Sequence, residues 1–180
     1  VAYFGAGVFP HEGIFICALE ADNGALIWQN DRIGNRSHEL KYGGMSPQGN
    51  LLASSDVLYV PSGRAIPAAF ARKTGEFLFF MSTSGDPWSY NFGGNWASLD
   101  EGRIVVGVER RGVPAKIAYD RRRGKRIGDL YGWFPSIDMV LTPKTAFALS
   151  TGGVYAVDRT LVSEQDLAKA NEAGSEMRVL

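Results

Sequence analysis

One motif recurs along this 180-residue chain, and a fixed repeat decides architecture before any single side chain matters. Ala18-Leu19-Glu20-Ala21-Asp22-Asn23-Gly24-Ala25-Leu26-Ile27-Trp28 lines up with Ala69-Phe70-Ala71-Arg72-Lys73-Thr74-Gly75-Glu76-Phe77-Leu78-Phe79. The third copy is Ala118-Tyr119-Asp120-Arg121-Arg122-Arg123-Gly124-Lys125-Arg126-Ile127-Gly128, and Ala156-Val157-Asp158-Arg159-Thr160 opens a fourth that does not continue. Gly24, Gly75 and Gly124 stand 51 and 49 residues apart, so the period is nearly constant.

Each copy follows another strand-like run, rich in β-branched or aromatic residues and ended by a turn signal: Val1 to Gly5, Val57 to Val60, Arg103 to Val108 and Ala146 to Leu149. Three of those runs have a further partner upstream. Asn50 to Ala53, Trp96 to Leu99 and Ile137 to Leu141 lead into them through Ser54-Ser55-Asp56, Asp100-Glu101-Gly102 and Thr142-Pro143-Lys144. The unit is therefore four short strands joined by turns, the footprint of propeller blades of roughly 40 to 50 residues each. The fold class expected is all-β: a β-propeller segment of about three four-stranded antiparallel blades plus the start of a fourth. Blade units fall at about 1–29, 47–81, 93–130 and 135–160, with Leu51, Trp96 and Ile137 in equivalent innermost strands.

The repeat glycine has a physical job, because a tight turn between the third and fourth strands needs a residue that enters positive φ without a Cβ clash. The alanine two places before the acidic position permits close packing of strands. Four residues after the glycine stands Trp28 or Phe79, placed to wedge between neighbouring blades; the third copy has Gly128 there and loses the wedge.

These residues resemble the pyrroloquinoline-quinone-like repeat, roughly Ala-x-Asp-x-x-Thr-Gly-x-x-x-Trp, over most of residues 1–158. Asp120 and Asp158 keep its aspartate, whereas Glu20 and Ala71 depart from it. The resemblance implies the quinoprotein-like propellers, commonly of seven or eight blades, which include quinone-dependent dehydrogenases and non-enzymatic outer-membrane assembly scaffolds. It also implies a periplasmic or secreted setting. Three and a half blades leave open sheet edges, so the expectation is a segment of a larger ring that self-associates when expressed alone.

In the enzymes, the resemblance implies adjacent cysteines, a calcium ligand set and a catalytic aspartate. Cys17 is the single cysteine, which rules out a vicinal pair within this chain, and no Asp-rich calcium loop of known spacing appears. With Ile14, Phe15, Ile16 and Leu19 around it, Cys17 reads as a buried strand residue. His11-Glu12 and His38-Glu39 lack the helical i, i+4 pairing of a zinc hydrolase, and Gly5-Ala6-Gly7 lacks the rest of a dinucleotide fingerprint. Asn35-Arg36-Ser37 has the form of a glycosylation sequon. No catalytic, metal or cofactor residue is assigned, and the expected cofactor is none.

Nineteen basic and nineteen acidic side chains cancel, so no long-range field favours nucleic acid. No apolar run reaches the roughly 18 to 20 residues needed to span a bilayer. The dense run Arg121, Arg122, Arg123, Lys125 and Arg126 reads as a solvated turn, carried by one strand to the opposite end of the blade from Arg110 and Arg111. Beyond Arg159 the strand pattern stops. Ser163 caps and Gly174 ends a short polar helix over Glu164 to Ala173, a helical insertion or linker within 161–180.

Connectivity locates the working surface. In a four-strand meander the second-to-third turns and the links between blades emerge at one end, and the remaining turns at the other. The long links Asn30 to Ser46, Ser82 to Gly94 and Asp129 to Pro135 fall on the first end with the turns around Pro10, Arg64 and Arg110. Arg36, His38, Tyr42, Arg64, Trp88, Tyr90 and Trp133 form the candidate binding face, a mix of aromatic anchors and forked donors suited to a protein or small-molecule ligand. The expected function is a non-catalytic interaction or ligand-binding scaffold; the competing class is a fragment of a quinone-dependent dehydrogenase.

Overall fold

The computed structural model describes residues 1–7, 13–33, 45–62, 67–81, 92–110, 113–129, 138–150 and 153–159. Fourteen strands are present among them, in four antiparallel sheets. The first sheet holds β1 (Ala2–Ala6), β2 (Phe15–Leu19) and β3 (Leu26–Asn30). The second holds β4 (Leu52–Ala53), β5 (Val57–Val60), β6 (Ala68–Ala71) and β7 (Phe77–Phe80). The third holds β8 (Phe92–Asp100), β9 (Arg103–Arg110), β10 (Val113–Asp120) and β11 (Arg126–Asp129). The last holds β12 (Asp138–Leu141), β13 (Thr145–Ser150) and β14 (Gly153–Asp158). Each sheet is a simple meander whose strands pair in chain order, so each is one blade.

Alternation along each strand explains why the blades stack. Ile117 and Tyr119 face back to the second blade, in a core with Val57, Tyr59 and Ala69; Ala118 faces forward, with Met139, Ala146 and Ala148 of the fourth. A third core joins Ile14, Ile16, Ala18 and Trp28 of the first blade to Leu58, Val60, Ala68 and Phe70 of the second. Three apolar seams thus lie between four blades, and each middle sheet is apolar on both faces. Ala18, Ala69 and Ala118, the motif alanines, are fully buried and each faces the following blade. The fold is a β-propeller segment.

Register sets which residues of the innermost strands correspond. Leu52 pairs with Tyr59, Ser98 with Val105 and Val140 with Phe147, so Leu51 corresponds to Ala97 and Met139. Trp96 is one residue earlier and faces forward, packing with Met139, while Leu51 packs backward on the first blade. A one-residue offset flips a strand residue to the other face; β8 also carries a register shift between Gly93 and Ala97. Ile137 and the expected helix of residues 164–173 lie outside the described residues.

Candidate functional site

The short-turn end is built three times from the same bonds. Glu20, Ala71 and Asp120 donate their N–H to the carbonyls of Ala25, Glu76 and Lys125, and accept from Gly24, Gly75 and Gly124. Those glycines hold φ of 73, 71 and 64°, the left-handed region that the turn demands. Where the aspartate is kept, Asp120 Oδ1 also accepts from the N–H groups of Arg122 and Arg123, at 3.0 and 2.8 Å. In the first two copies Asn23 and Thr74 instead accept from N–H groups further along the turn, those of Ala25 and Glu76. The first-to-second and third-to-fourth turns of a blade are then tied together: Arg72, Arg121 and Arg159 donate N–H to the carbonyls of Asp56, Gly102 and Lys144.

The same end carries the contacts between blades. Trp28 lies on Gly75 of the second blade and donates its indole N–H to Arg72 O at 3.0 Å. Phe79 lies on Gly124 of the third in the same way. The wedge expected from spacing is therefore a ring seated where the next blade has no Cβ. Tyr3 and Tyr59, at equivalent positions, reach the equivalent turn residues: Tyr3 Oη accepts from Arg72 Nε and Tyr59 Oη donates to Arg121 O, each at 2.9 Å. At the third junction Arg159 pairs with Asp100 of the preceding blade and donates to Thr142 O; Asp100 also takes Arg103 at 2.9 Å. The basic run is accordingly mixed: Arg122, Arg123 and Lys125 are solvated, whereas Arg121 is half-buried in a blade contact.

At the opposite end several residues that flank the long links are buried. Ile33 and Met45, on either side of residues 34–44, are both buried in the first seam. Ser46 N–H donates to Ser62 Oγ at 2.8 Å and Ser62 Oγ donates to Ser46 O at 3.1 Å, beside a bridge between Pro47 and Ser62. Met81 is fully buried and its N–H donates to Pro67 O. All seven residues of the candidate binding face, Arg36, His38, Tyr42, Arg64, Trp88, Tyr90 and Trp133, lie outside the described residues, as do His11, Glu12 and Glu39. Arg110 ends β9 at this end, seven residues along the strand from Arg103, which at about 3.4 Å per residue separates it by about 24 Å from the Arg121 turn.

Sequence reasoning passed over Lys116. It is 2% exposed on the forward face of β10, where the other blades carry Ile16, Pro67 and Val154. Burial pushes its ammonium pKa down, opposed by the carboxylate of Asp138 across the seam. The signal that could have found it was the departure from an apolar repeat position. Cys17 is buried as expected; its thiol donates to Gln29 Oε1 at 3.7 Å and burial pushes its pKa up. Ser54 and then Ser55 hold Asp56 below the usual carboxylate range. Among the described residues no three His, Cys, Asp or Glu side chains come together as a metal site, and no helix is long and apolar enough to cross a membrane.

No family profile matches the chain, and no curated protein does. Solved structures do. The chain is similar to the computationally designed Ika4 protein, at TM-score 0.57 and 14% identity over 87% of this chain and 83% of that one. BamB from Moraxella catarrhalis is similar at TM-score 0.53 and 13% identity, over 88% of this chain and 47% of that one. A europium-containing methanol dehydrogenase is similar at TM-score 0.50 and 18% identity, over 71% and 22% respectively. The present chain thus spans less than half of either of the last two. At these identities the likeness is one of fold, the stacked-blade arrangement described above.

Proposed function

We propose that this chain is a non-catalytic propeller scaffold that binds a protein or small-molecule ligand on its long-loop face. The observation that supports it is the division of labour between the two ends. The short turns are spent on structure: Trp28, Tyr3, Tyr59, Arg72 and Arg159 are committed to neighbouring blades. The long links, which carry Arg36, His38, Tyr42, Trp88, Tyr90 and Trp133, and the turn that carries Arg64 belong to the other end in this reading, where Ile33, Met45 and Met81 are buried beside the first two links. Loops free to vary on a fixed frame are where binding residues concentrate. Residues 1–160 act in this reading as the propeller segment, with 161–180 a helical insertion or linker. No cofactor, nucleic acid or membrane span of this chain is part of it, and the setting is extracytoplasmic.

Two experiments test it. A displayed random-peptide library panned against the immobilised chain should yield binders that are lost on alanine substitution at Trp88, Tyr90 or Trp133. Arg122→Ala and Lys73→Ala should retain them; the reverse pattern refutes the assignment of the face. Incubation with pyrroloquinoline quinone and calcium should leave dye-linked alcohol oxidation at background, and clear turnover would establish the dehydrogenase class instead.

A further inference from the structure

The short-turn end is divided by charge. Among the exposed side chains of its turns, the first blade carries Glu20 and Asp22, and the second Asp56 and Glu76 against Lys73. The third carries Arg122, Arg123 and Lys125 against Glu101, and the fourth Lys144 alone. The whole chain is neutral, so the basic half of this end is a local arrangement and not the share of a cationic protein. Its densest part is one turn: between Asp120 and Lys125 four cations stand against one carboxylate.

Nothing in the turn's own architecture asks for those cations. Its backbone is closed by Asp120 N–H to Lys125 O and Gly124 N–H to Asp120 O, both at 2.8 Å, and pinned by Arg121 N–H to Gly102 O at 3.1 Å. Its side-chain acceptor is Asp120, which takes the N–H groups of Arg122 and Arg123, and Phe79 of the second blade lies against Gly124. The first copy closes the same backbone turn with Asp22, Asn23 and Ala25 at the positions of Arg122, Arg123 and Lys125, and the second with Lys73, Thr74 and Glu76. Arg123 stands where Asn23 and Thr74 turn their side chains to the backbone, and its guanidinium has no such task. No carboxylate of the described residues pairs with Arg122, Arg123 or Lys125. Arg121, by contrast, is half-buried at the junction with the second blade. Three like charges are thus held together on a fixed backbone, at a repulsive cost that a bound anion relieves.

We infer that the turn carrying Arg122, Arg123 and Lys125 is a docking site for a short acidic segment of a partner protein, whose carboxylates the two guanidinium forks take in paired hydrogen bonds. A pinned turn has little backbone freedom to lose on binding. Nucleic acid fits this end less well. A strand of phosphates needs a continuous basic track and aromatic faces for its bases. Here the exposed turns become acidic over the first two blades, and Trp28 and Phe79 are seated on glycines within the junctions. The surface lies opposite the long links and does not depend on what they bind.

Fluorescence anisotropy of a fluorescein-labelled octa-glutamate peptide, titrated with the chain at low salt, tests this. Saturable binding is expected, weakening steadily as salt is added, because exposed ion pairs are screened. Arg122→Gln/Arg123→Gln should lower the affinity by about tenfold or more. Arg32→Gln/Lys73→Gln removes the same charge from exposed positions elsewhere and should change the affinity by less than about twofold. A labelled octathymidylate should bind more weakly than the peptide. Far-UV circular dichroism checks that each variant folds, and the substitutions leave every backbone bond of the turn and its Asp120 acceptor in place. Absence of saturable peptide binding, equal losses in the two double variants, or octathymidylate binding as tight as the peptide's overturns the inference.

Discussion

Gly24→Ala and Gly75→Ala make the same chemical change at the same turn, yet they should differ several-fold in effect. Both glycines hold a left-handed φ, 73 and 71°, so an alanine at either pays about 1 kcal/mol or more for the conformation alone. Around Gly24 an added methyl meets nothing within 4 Å. At Gly75 it would stand 2.3, 2.6 and 2.9 Å from three atoms of the Trp28 ring. The ring must move by about an ångström to recover an ordinary carbon contact near 3.5 Å. That displacement costs about 1–3 kcal/mol of overpacking, and loss of the indole N–H bond to Arg72 O adds about 1 kcal/mol. Gly75→Ala should therefore destabilise by about 3–5 kcal/mol against about 1 for Gly24→Ala. Gly124→Ala, facing Phe79 Cδ2 at 2.6 Å, should resemble Gly75→Ala without the lost hydrogen bond. Urea unfolding followed by circular dichroism measures all three. Equal losses at Gly24 and Gly75, within about 0.5 kcal/mol, would refute the reasoning, because the wedge would then impose no constraint on the turn beneath it.

Tyr59→Phe removes only the hydroxyl that donates to Arg121 O and should cost about 0.5–1.5 kcal/mol in urea unfolding; a neutral result would mean that the bond adds nothing to the blade junction. Lys116 gives a pH signature. Its folded pKa is held below the ordinary lysine value of 10.5, chiefly by burial, so between the folded pKa and 10.5 the unfolded chain binds more protons and stability rises with pH. Below that window the burial cost is fully present, and above 10.5 it is gone. The wild-type urea midpoint should accordingly climb toward pH 10.5 relative to Lys116→Met, and parallel profiles would count against it.

How much of this was legible in the sequence depended on whether a feature repeats. Gly24, Gly75 and Gly124 announced both the period and the turn, and Trp28 and Phe79 announced a wedge, because each recurs at one spacing. The contact partner of each wedge was hidden, since it belongs to the next copy and periodicity alone does not say which copy touches which. Tyr3 with Arg72 and Tyr59 with Arg121 were missed for that reason, and because the tyrosines, equivalent in register, stand 56 residues apart and so off the period of the glycines. Leu51 and Trp96 were placed in equivalent innermost strands, but which face each presents was not legible, because one residue of offset is enough to reverse a face. The candidate binding residues followed from connectivity, not from repetition. Loops that differ in length from blade to blade share no register, so the repeat locates the end from which they emerge but gives no geometry for the side chains they carry.

The seating of each aromatic on the following blade's glycine has a consequence for how such a chain can change over generations. Trp28 depends on Gly75 and Phe79 on Gly124, so the unit of inheritance straddles two blades. The third copy, with Gly128 in the aromatic position, releases its successor from that bond. Six residues after the alanine that opens each copy stands Gly24, Gly75 or Gly124, but in the fourth copy Val162. Ring and glycine have departed together. A chimera that transplants one blade cleanly at its own boundaries would therefore separate linked residues, and grafts cut through the middle of two successive sheets should assemble where whole-blade grafts fail.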